Sequence, residues 1–215
     1  MRQIILDQIN HALSVRRTYF TREQDIQLYL ASYLLNTNFY NNVFIEYHVP
    51  GILVPPYLLS DETNSYIDIV VEKDNEFYPV EISYKTSAQP LQRMVFGQNV
   101  NILLTQNSAQ NIGCYDFWKD VKRVEFYESN FPQVKRGVVL FVTNDTNYQH
   151  APSSSNAGYA PFSIYKGRQV FAGTMLNWNG NTTVANRRPG FAVNYNYDIN
   201  WVQLPFDQQH YYVLV

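Results

Sequence analysis

Several things are scarce in this 215-residue chain, and each scarcity excludes something. A single cysteine, Cys114, rules out an internal disulfide and matches a reducing compartment. The N-terminal stretch MRQIILDQINHALSV has apolar residues at helical spacing but no uninterrupted apolar run, so it reads as neither a leader peptide nor a membrane span. Charge is sparse: 16 Lys and Arg against 18 Asp and Glu leave a net charge of -2. That balance gives no global attraction to nucleic acid or to an anionic membrane, so any polyanion must be held by local basic clusters. No internal repeat is visible. These absences describe a soluble, cytoplasmic protein without a membrane partner. What the chain has in abundance is aromatic: 18 Tyr and 13 Phe, residues that favour strands.

The length allows one domain with a substantial elaboration. Residues 3–15 read as an amphipathic helix with Ile4, Ile5, Ile9 and Leu13 on one side. Thr21 and Gln24 have capping-box spacing, opening a second helix to about Leu35 that buries Ile26, Tyr29, Leu30, Tyr33 and Leu34. Val43 to Val49 reads as a strand, with Phe44, Glu46 and His48 on one face and Ile45, Tyr47 and Val49 on the other. A loop through Pro55-Pro56 follows. After Thr86, Pro90 suggests a helical turn and Val100 to Thr105 a short strand. Tyr115 to Glu128 is a helix whose buried stripe is Phe117, Trp118, Val121 and Val124, with Lys119, Lys122 and Arg123 on its polar side. VVLFV is a strand covered on both faces. Beyond Thr143 the composition shifts to Asn, Ser, Gly and Pro with short strand-like pieces, which predicts a β-rich extension over 146–215 packed on the core.

The chemistry concentrates in YIDIVVEKDNEFYPVEISYKT, residues 66–86. It reads as two strands joined by Asp74-Asn75, a pair suited to a two-residue loop with positive φ. Paired positions then sum to 149, which sets Asp68 opposite Glu81. Facing carboxylates repel, so the pair calls for a shared proton or a metal ion. The period of two adds Ser83 and Lys85 to the face of Glu81.

With these residues in view, the chain between about Thr21 and Thr143 resembles the PD-(D/E)XK nuclease superfamily, the restriction-endonuclease-like enzymes. The residues that carry the likeness are Glu23 early in the first core helix, Asp68 followed by Glu81, the strand VEISYKT, and the helix YDFWKDVKRVE leading into VVLFVTND. The resemblance implies a mixed-sheet αβββαβ core over 21–145, within one α/β domain whose residues 1–20 add an N-terminal helix. It implies that Asp68 and Glu81 bind Mg2+, with Mn2+ able to substitute, and that Glu23 is an accessory catalytic group. It further implies DNA as the partner and phosphodiester hydrolysis as the reaction. Two positions depart from the motif: Ile67 precedes Asp68 where a proline is common, and Ser83 occupies the lysine position. Lys85 lies one pleat repeat further along the same face, roughly 6.6–6.8 Å away along the strand, and is the replacement base or charge stabiliser. Lys119, Lys122 and Arg123 are candidates for phosphate contacts, as is Arg187-Arg188. Ser83 also supports a different expectation, a nuclease-like domain that binds nucleic acid or a protein without hydrolysis. The Tyr, Trp and Asn of the C-terminal part suggest a third, a carbohydrate or protein interaction module. Whether the chain acts as a monomer or a homodimer is left open.

Overall fold

The computed structural model describes residues 1–50, 64–107, 109–180, 182–206 and 208–215. The loop expected around Pro55-Pro56 lies outside the described residues. Helix α1 (Arg2–Val15) buries Ile5, Ile9, Ala12 and Leu13, one face at helical spacing. Ile4, expected in that stripe, is instead exposed. Helix α2 (Glu23–Asn36) buries Ile26, Gln27, Leu30, Ala31 and Leu34, while Tyr29 and Tyr33 are only half-buried. The expected capping box does not form. Asp25 reaches back instead, its carboxylate accepting the Thr21 N–H at 3.0 Å and hydroxyl at 2.6 Å. The helix starts two residues after Thr21, so the side chain placed to accept from Thr21 is Asp25 and not Gln24.

Three strands follow: β1 (Asn42–Pro50), β2 (Asn64–Lys73) and β3 (Glu76–Lys85). Asp74 and Asn75 take φ of 53° and 64°, the left-handed values a two-residue hairpin loop needs. The chain then makes a second hairpin, β4 (Gln89–Val95) and β5 (Gln98–Leu104), turning at Phe96-Gly97. Pro90 therefore lies in a strand and opens no helical turn; among the described residues β4 pairs with β5 alone, so the missing N–H is tolerated. Helix α3 (Gln110–Asn130) leads to β6 (Val138–Thr143), whose six residues are all buried. Gly113 lets α3 approach Tyr148, because a Cβ there would stand 2.1 Å from the Tyr148 hydroxyl.

The chain is α/β, built on a mixed six-stranded sheet ordered β1-β2-β3-β6-β12-β11, where β11 is Trp201–Gln203 and β12 is Tyr211–Leu214. β3 runs parallel to β6, and the other neighbours are antiparallel. Helices α1 and α2 cover one face through Ile69, Val71, Val80, Ile82, Tyr84, Leu140 and Val142. Helix α3 and the later chain cover the other through Val139, Phe141 and Val213. The segment 146–215 is less β-rich than expected. Four of its six described strands are two residues long: β7 (Gln169–Val170), β8 (Met175–Leu176), β9 (Phe191–Ala192) and β10 (Tyr197–Asp198). Its aromatics instead pack around α3: Phe162, Trp178 and Phe191 ring Tyr115, and Trp201 meets Phe141. Arg187 ends a short helix, α4 (Thr182–Arg187), where a loop was expected. Among the described residues no helix is long and apolar enough to cross a membrane.

Candidate active site

One rung of the sheet is irregular, and the site grows from it. β1 pairs with β2 from Asn42↔Glu72 through Ile45↔Ile69 and resumes at Tyr47↔Ile67, skipping Glu46 and Asp68. Glu46 has a φ of 48°, a left-handed conformation that a strand residue rarely adopts. Alternation reverses there in both strands. Ile69 and Val71 face α1 and α2, whereas Ile67 packs with Val70 on the opposite side. On β1, Val43 faces the helices, whereas Phe44, Tyr47 and Val49 share the other face. The strict alternation expected for Val43 to Val49 therefore holds only up to Glu46, because one left-handed residue inverts the pleat.

β2 also parts from β3 at this rung. Their pairs sum to 149 as expected, from Lys73↔Glu76 to Ile69↔Val80, but the ladder ends before Asp68 and Glu81 can pair. Two N–H groups of β3 are then taken by carboxylates. Asp68 Oδ2 accepts from the Ile82 N–H at 2.6 Å, and Glu23 Oε2 accepts from the Tyr84 N–H at 2.9 Å. The Asp68 carbonyl accepts from Gln27 Nε2 at 2.7 Å, and the same nitrogen donates to Glu46 Oε1 at 2.8 Å. Gln27, buried on α2, thus ties both irregular strands to the helix.

On the α3 side of β3, three polar side chains meet three partners. Lys85 Nζ lies 3.0 Å from Asp116 Oδ2, Ser83 Oγ donates to Asp120 Oδ2 at 2.7 Å, and Arg123 lies 3.2 Å from Glu81 Oε1. Steps of two along the strand match steps of four and three along the helix, so the two elements zip together. Lys119 adds a contact to Asp120 at 3.4 Å. Lys119, Lys122 and Arg123 are each about four-fifths covered and do not form the solvated face expected for them. Lys122 reaches Glu125 and Asn194, and Arg123 donates to the Tyr66 carbonyl at 2.6 Å and to Ser65 Oγ. The reversal has a plain cause: α3 packs this side against β2 and β3, which take up Arg123, and against Asn194 of the later chain, which takes up Lys122.

Five carboxylates, Glu23, Asp68, Glu81, Asp116 and Asp120, thus stand among three cations, Lys85, Lys119 and Arg123. The formal surplus is two negative charges. Burial lifts the Asp68 carboxyl to about 7; the Ile82 N–H opposes the rise, while Glu23 and Asp120 add to it. Burial also raises Glu23, with the Tyr84 N–H and Lys85 opposing. Glu81, only 2% exposed, is pushed well above the usual carboxylate range by burial, against the pull of Arg123. Arg123 itself is pulled down by burial but raised on balance by Glu81 and Asp120. Glu81 Oε1 is buried and makes no well-formed hydrogen bond, its charged neighbour being the Arg123 guanidinium at 3.2 Å.

Does this donor set suit a divalent cation? The oxygens are hard and the formal surplus charge has the right sign. Among the described residues, no three His, Cys, Asp or Glu side chains form a group that could hold a metal ion. That is compatible with Mg2+, which keeps several waters and commonly rests on one or two carboxylates. A cavity of about 380 Å³ is lined by Glu23, Tyr84, Lys85 and Thr86 on one side and by β5 on the other. A larger cavity of about 520 Å³ is apolar, and its lining contains none of the five carboxylates.

Of the residues singled out in the sequence, Glu23, Asp68, Glu81, Lys85, Lys119 and Arg123 belong to this one network, whereas Lys122 stands outside it on Glu125. His48 stacks on Tyr66. Sequence reasoning missed Gln27, Asp116 and Asp120. The two aspartates carried a usable signal, since Asp116, Asp120 and Arg123 share a helix face at spacings of four and three. Comparison with known proteins supplies no relative: no family model matches the chain, and no curated protein or solved structure matches it significantly.

Proposed function

We propose that this chain is a metal-dependent phosphodiesterase acting on DNA, built on a restriction-endonuclease-like core formed by α2, β1, β2, β3, α3 and β6. The observation that carries the reading is the break at Asp68, which turns its carboxylate out of the ladder and onto β3 beside buried Glu81. The succession α2, β1, β2, β3, α3 and β6 in a mixed sheet supports the reading, with the β4–β5 hairpin inserted between β3 and α3.

In this reading Asp68 and Glu81 hold Mg2+ or Mn2+, which when bound supplies Lewis-acid activation of water and neutralises charge on the phosphate. The chain's own residues set the site. Gln27 fixes the Asp68 backbone, and Arg123 holds Glu81 and offsets part of its charge. Glu23 takes the Tyr84 N–H at the rim of the cavity. Lys85, with Arg22, brings positive charge to the cavity wall and is steadied by Asp116. Ser83 donates its proton to Asp120 and so is no base. Incubating the protein with supercoiled plasmid and Mg2+ or Mn2+ should give nicking that Glu81→Ala abolishes. Undiminished cleavage by Glu81→Ala, or no nicking with either metal, sinks the proposal.

The Lys85–Asp116 contact favours a second reading, a nuclease-like domain that binds DNA without cutting it, because the lysine is already engaged. Asp116→Asn separates the two. Freeing Lys85 should raise the nicking rate if the lysine assists hydrolysis, and should leave it at zero if the domain only binds.

A further inference from the structure

The β4–β5 hairpin leaves the core immediately after Lys85 and returns at Thr105, and its root is tied tightly. Thr86 N–H donates to Asn107 Oδ1 at 2.8 Å, Thr86 Oγ to the Thr105 carbonyl at 2.7 Å, and Ser87 N–H to Asn144 Oδ1 at 2.7 Å. Leu91 and Leu104 are buried at the base. Beyond the base, β4 has β5 as its one strand partner among the described residues, and one face is open to water, carrying Pro90, Gln92, Met94, Asn99, Asn101 and Leu103. A hairpin with no third strand and no covering layer is marginal on its own, so its exposed apolar groups ask for a purpose.

The tip sharpens the question. Phe96 has a φ of 49° and Gly97 of 81°, so the loop needs two left-handed residues. Asn or Asp normally fills the first place, and a bulky aromatic pays a steric penalty there. The ring is fully exposed, so no packing in the fold compensates for that penalty. A strained residue that the fold does not require points to a role outside the fold. Charge narrows the partner: from Ile82 to Tyr115 the chain contains no Asp or Glu, whereas Lys85 and Arg93 are present. The base of the arm also forms one wall of the cavity that holds Glu23 and Lys85.

We infer that the β4–β5 arm is a nucleic-acid contact, with the Phe96 ring stacking on a nucleobase and the amide-bearing face lying along the strand. Every base offers an aromatic face, so an exposed ring on an arm free of carboxylates suits this ligand whatever its sequence. The inference rests on the phosphodiesterase reading, because that reading supplies the nucleic acid beside the arm. It deepens the reading by giving the substrate a second point of contact, outside the carboxylate network. Unpaired bases and an opened duplex step present the same ring chemistry.

The test uses the whole protein in EDTA, so that binding is read without cleavage. Fluorescence anisotropy of a labelled single strand, and of its duplex, is measured alongside quenching of a 2-aminopurine placed in each. The informative variant is Phe96→Asn, which removes the ring while giving the turn the residue it prefers, so loss of folding is not expected. Phe96→Asn should bind roughly tenfold more weakly and lose the quenching, while Phe96→Trp keeps both. The form that shows the Phe96-dependent quenching, single strand or duplex, identifies the source of the base. Equal binding by Phe96→Asn and wild type overturns the inference. So does the absence of wild-type binding to either form, or Phe96-dependent cosedimentation with anionic vesicles in place of oligonucleotide binding. The two readings fail separately. Plasmid nicking with unchanged binding by Phe96→Asn sinks only the arm, and Phe96-dependent binding without nicking sinks only hydrolysis.

Discussion

The molecule contains two hairpins with the same kind of turn and opposite surroundings. β2 and β3 join at Asp74-Asn75 with φ of 53° and 64°, and β4 and β5 join at Phe96-Gly97 with φ of 49° and 81°. The first hairpin lies in the middle of the sheet, with helices against both faces. Its turn uses residues that tolerate left-handed backbone, and its departure from regular pairing lies at the far end, where Asp68 leaves the ladder beside the left-handed Glu46 of β1. The second hairpin stands off the sheet, with its departure at the turn itself, in an aromatic residue that local sterics disfavour. In each case the rule-breaking position is where chemistry is proposed, and the rest of the hairpin obeys local physics. The left-handed Glu46 is held by a hydrogen bond from Gln27, whereas the fully exposed Phe96 ring has no packing in the fold to offset its backbone strain.

The comparison can be broken in four ways, from the largest expected effect to the smallest. Arg123→Ala leaves Glu81 buried without its cation and should cost about 3–5 kcal/mol, read from the urea midpoint. A loss below about 1 kcal/mol would mean that the inner hairpin's charge is not held by Arg123. Gln27→Ala removes the donor shared by Asp68 and Glu46 and should cost about 1–3 kcal/mol. It should also slow nicking with little change in DNA affinity, because Gln27 positions the broken rung and touches no phosphate.

The third test is pH. Asp68 titrates at about 7 in the fold against an ordinary 3.8, so its protonated form is the one the fold favours. Its contribution to stability is complete below its ordinary value and is lost as pH rises through about 7. Glu23 and Glu81 are shifted in the same direction and act with the same sign. In chelator, the urea midpoint should therefore fall between about pH 5 and pH 8, and Asp68→Asn should flatten the fall. Mg2+ should raise the midpoint more at the higher pH, where the carboxylates are ionised. A midpoint that rises with pH in chelator contradicts the proposed charge surplus. The smallest effect is at the turns: Phe96→Asn and Asn75→Gly each follow the loop's preference and should stabilise by less than about 1 kcal/mol. Destabilisation by Phe96→Asn would show that the ring supports the fold after all.

Much of the inner hairpin was legible in the sequence because local signals agree there. Asp74-Asn75 set the loop, the loop set the register, and the register set Glu81, Ser83 and Lys85 on one face. The β4–β5 hairpin was half legible: β5 emerged from its apolar run, whereas Pro90 masked β4 and Phe96-Gly97 does not look like a hairpin turn. The reversal of alternation at Glu46 left no trace, since a left-handed glutamate costs little enough for tertiary contacts to impose it. Exposure of α3's basic side was misjudged for another reason. An amphipathic pattern says which residues are polar, whereas whether water or protein covers them depends on segments distant in the chain, such as Glu81 and Tyr66 for Arg123 and Asn194 for Lys122.

By itself, then, the sequence determined the core helices and strands through β6 except β4, together with the hairpin register, because periodicity and turn chemistry act over a few residues. Only the tertiary structure decided that Asp68 leaves the ladder, that Asp116, Asp120 and Arg123 answer Lys85, Ser83 and Glu81, and that Phe96 stands alone in water. Those outcomes depend on burial and on partners distant in the chain, and no local pattern encodes either.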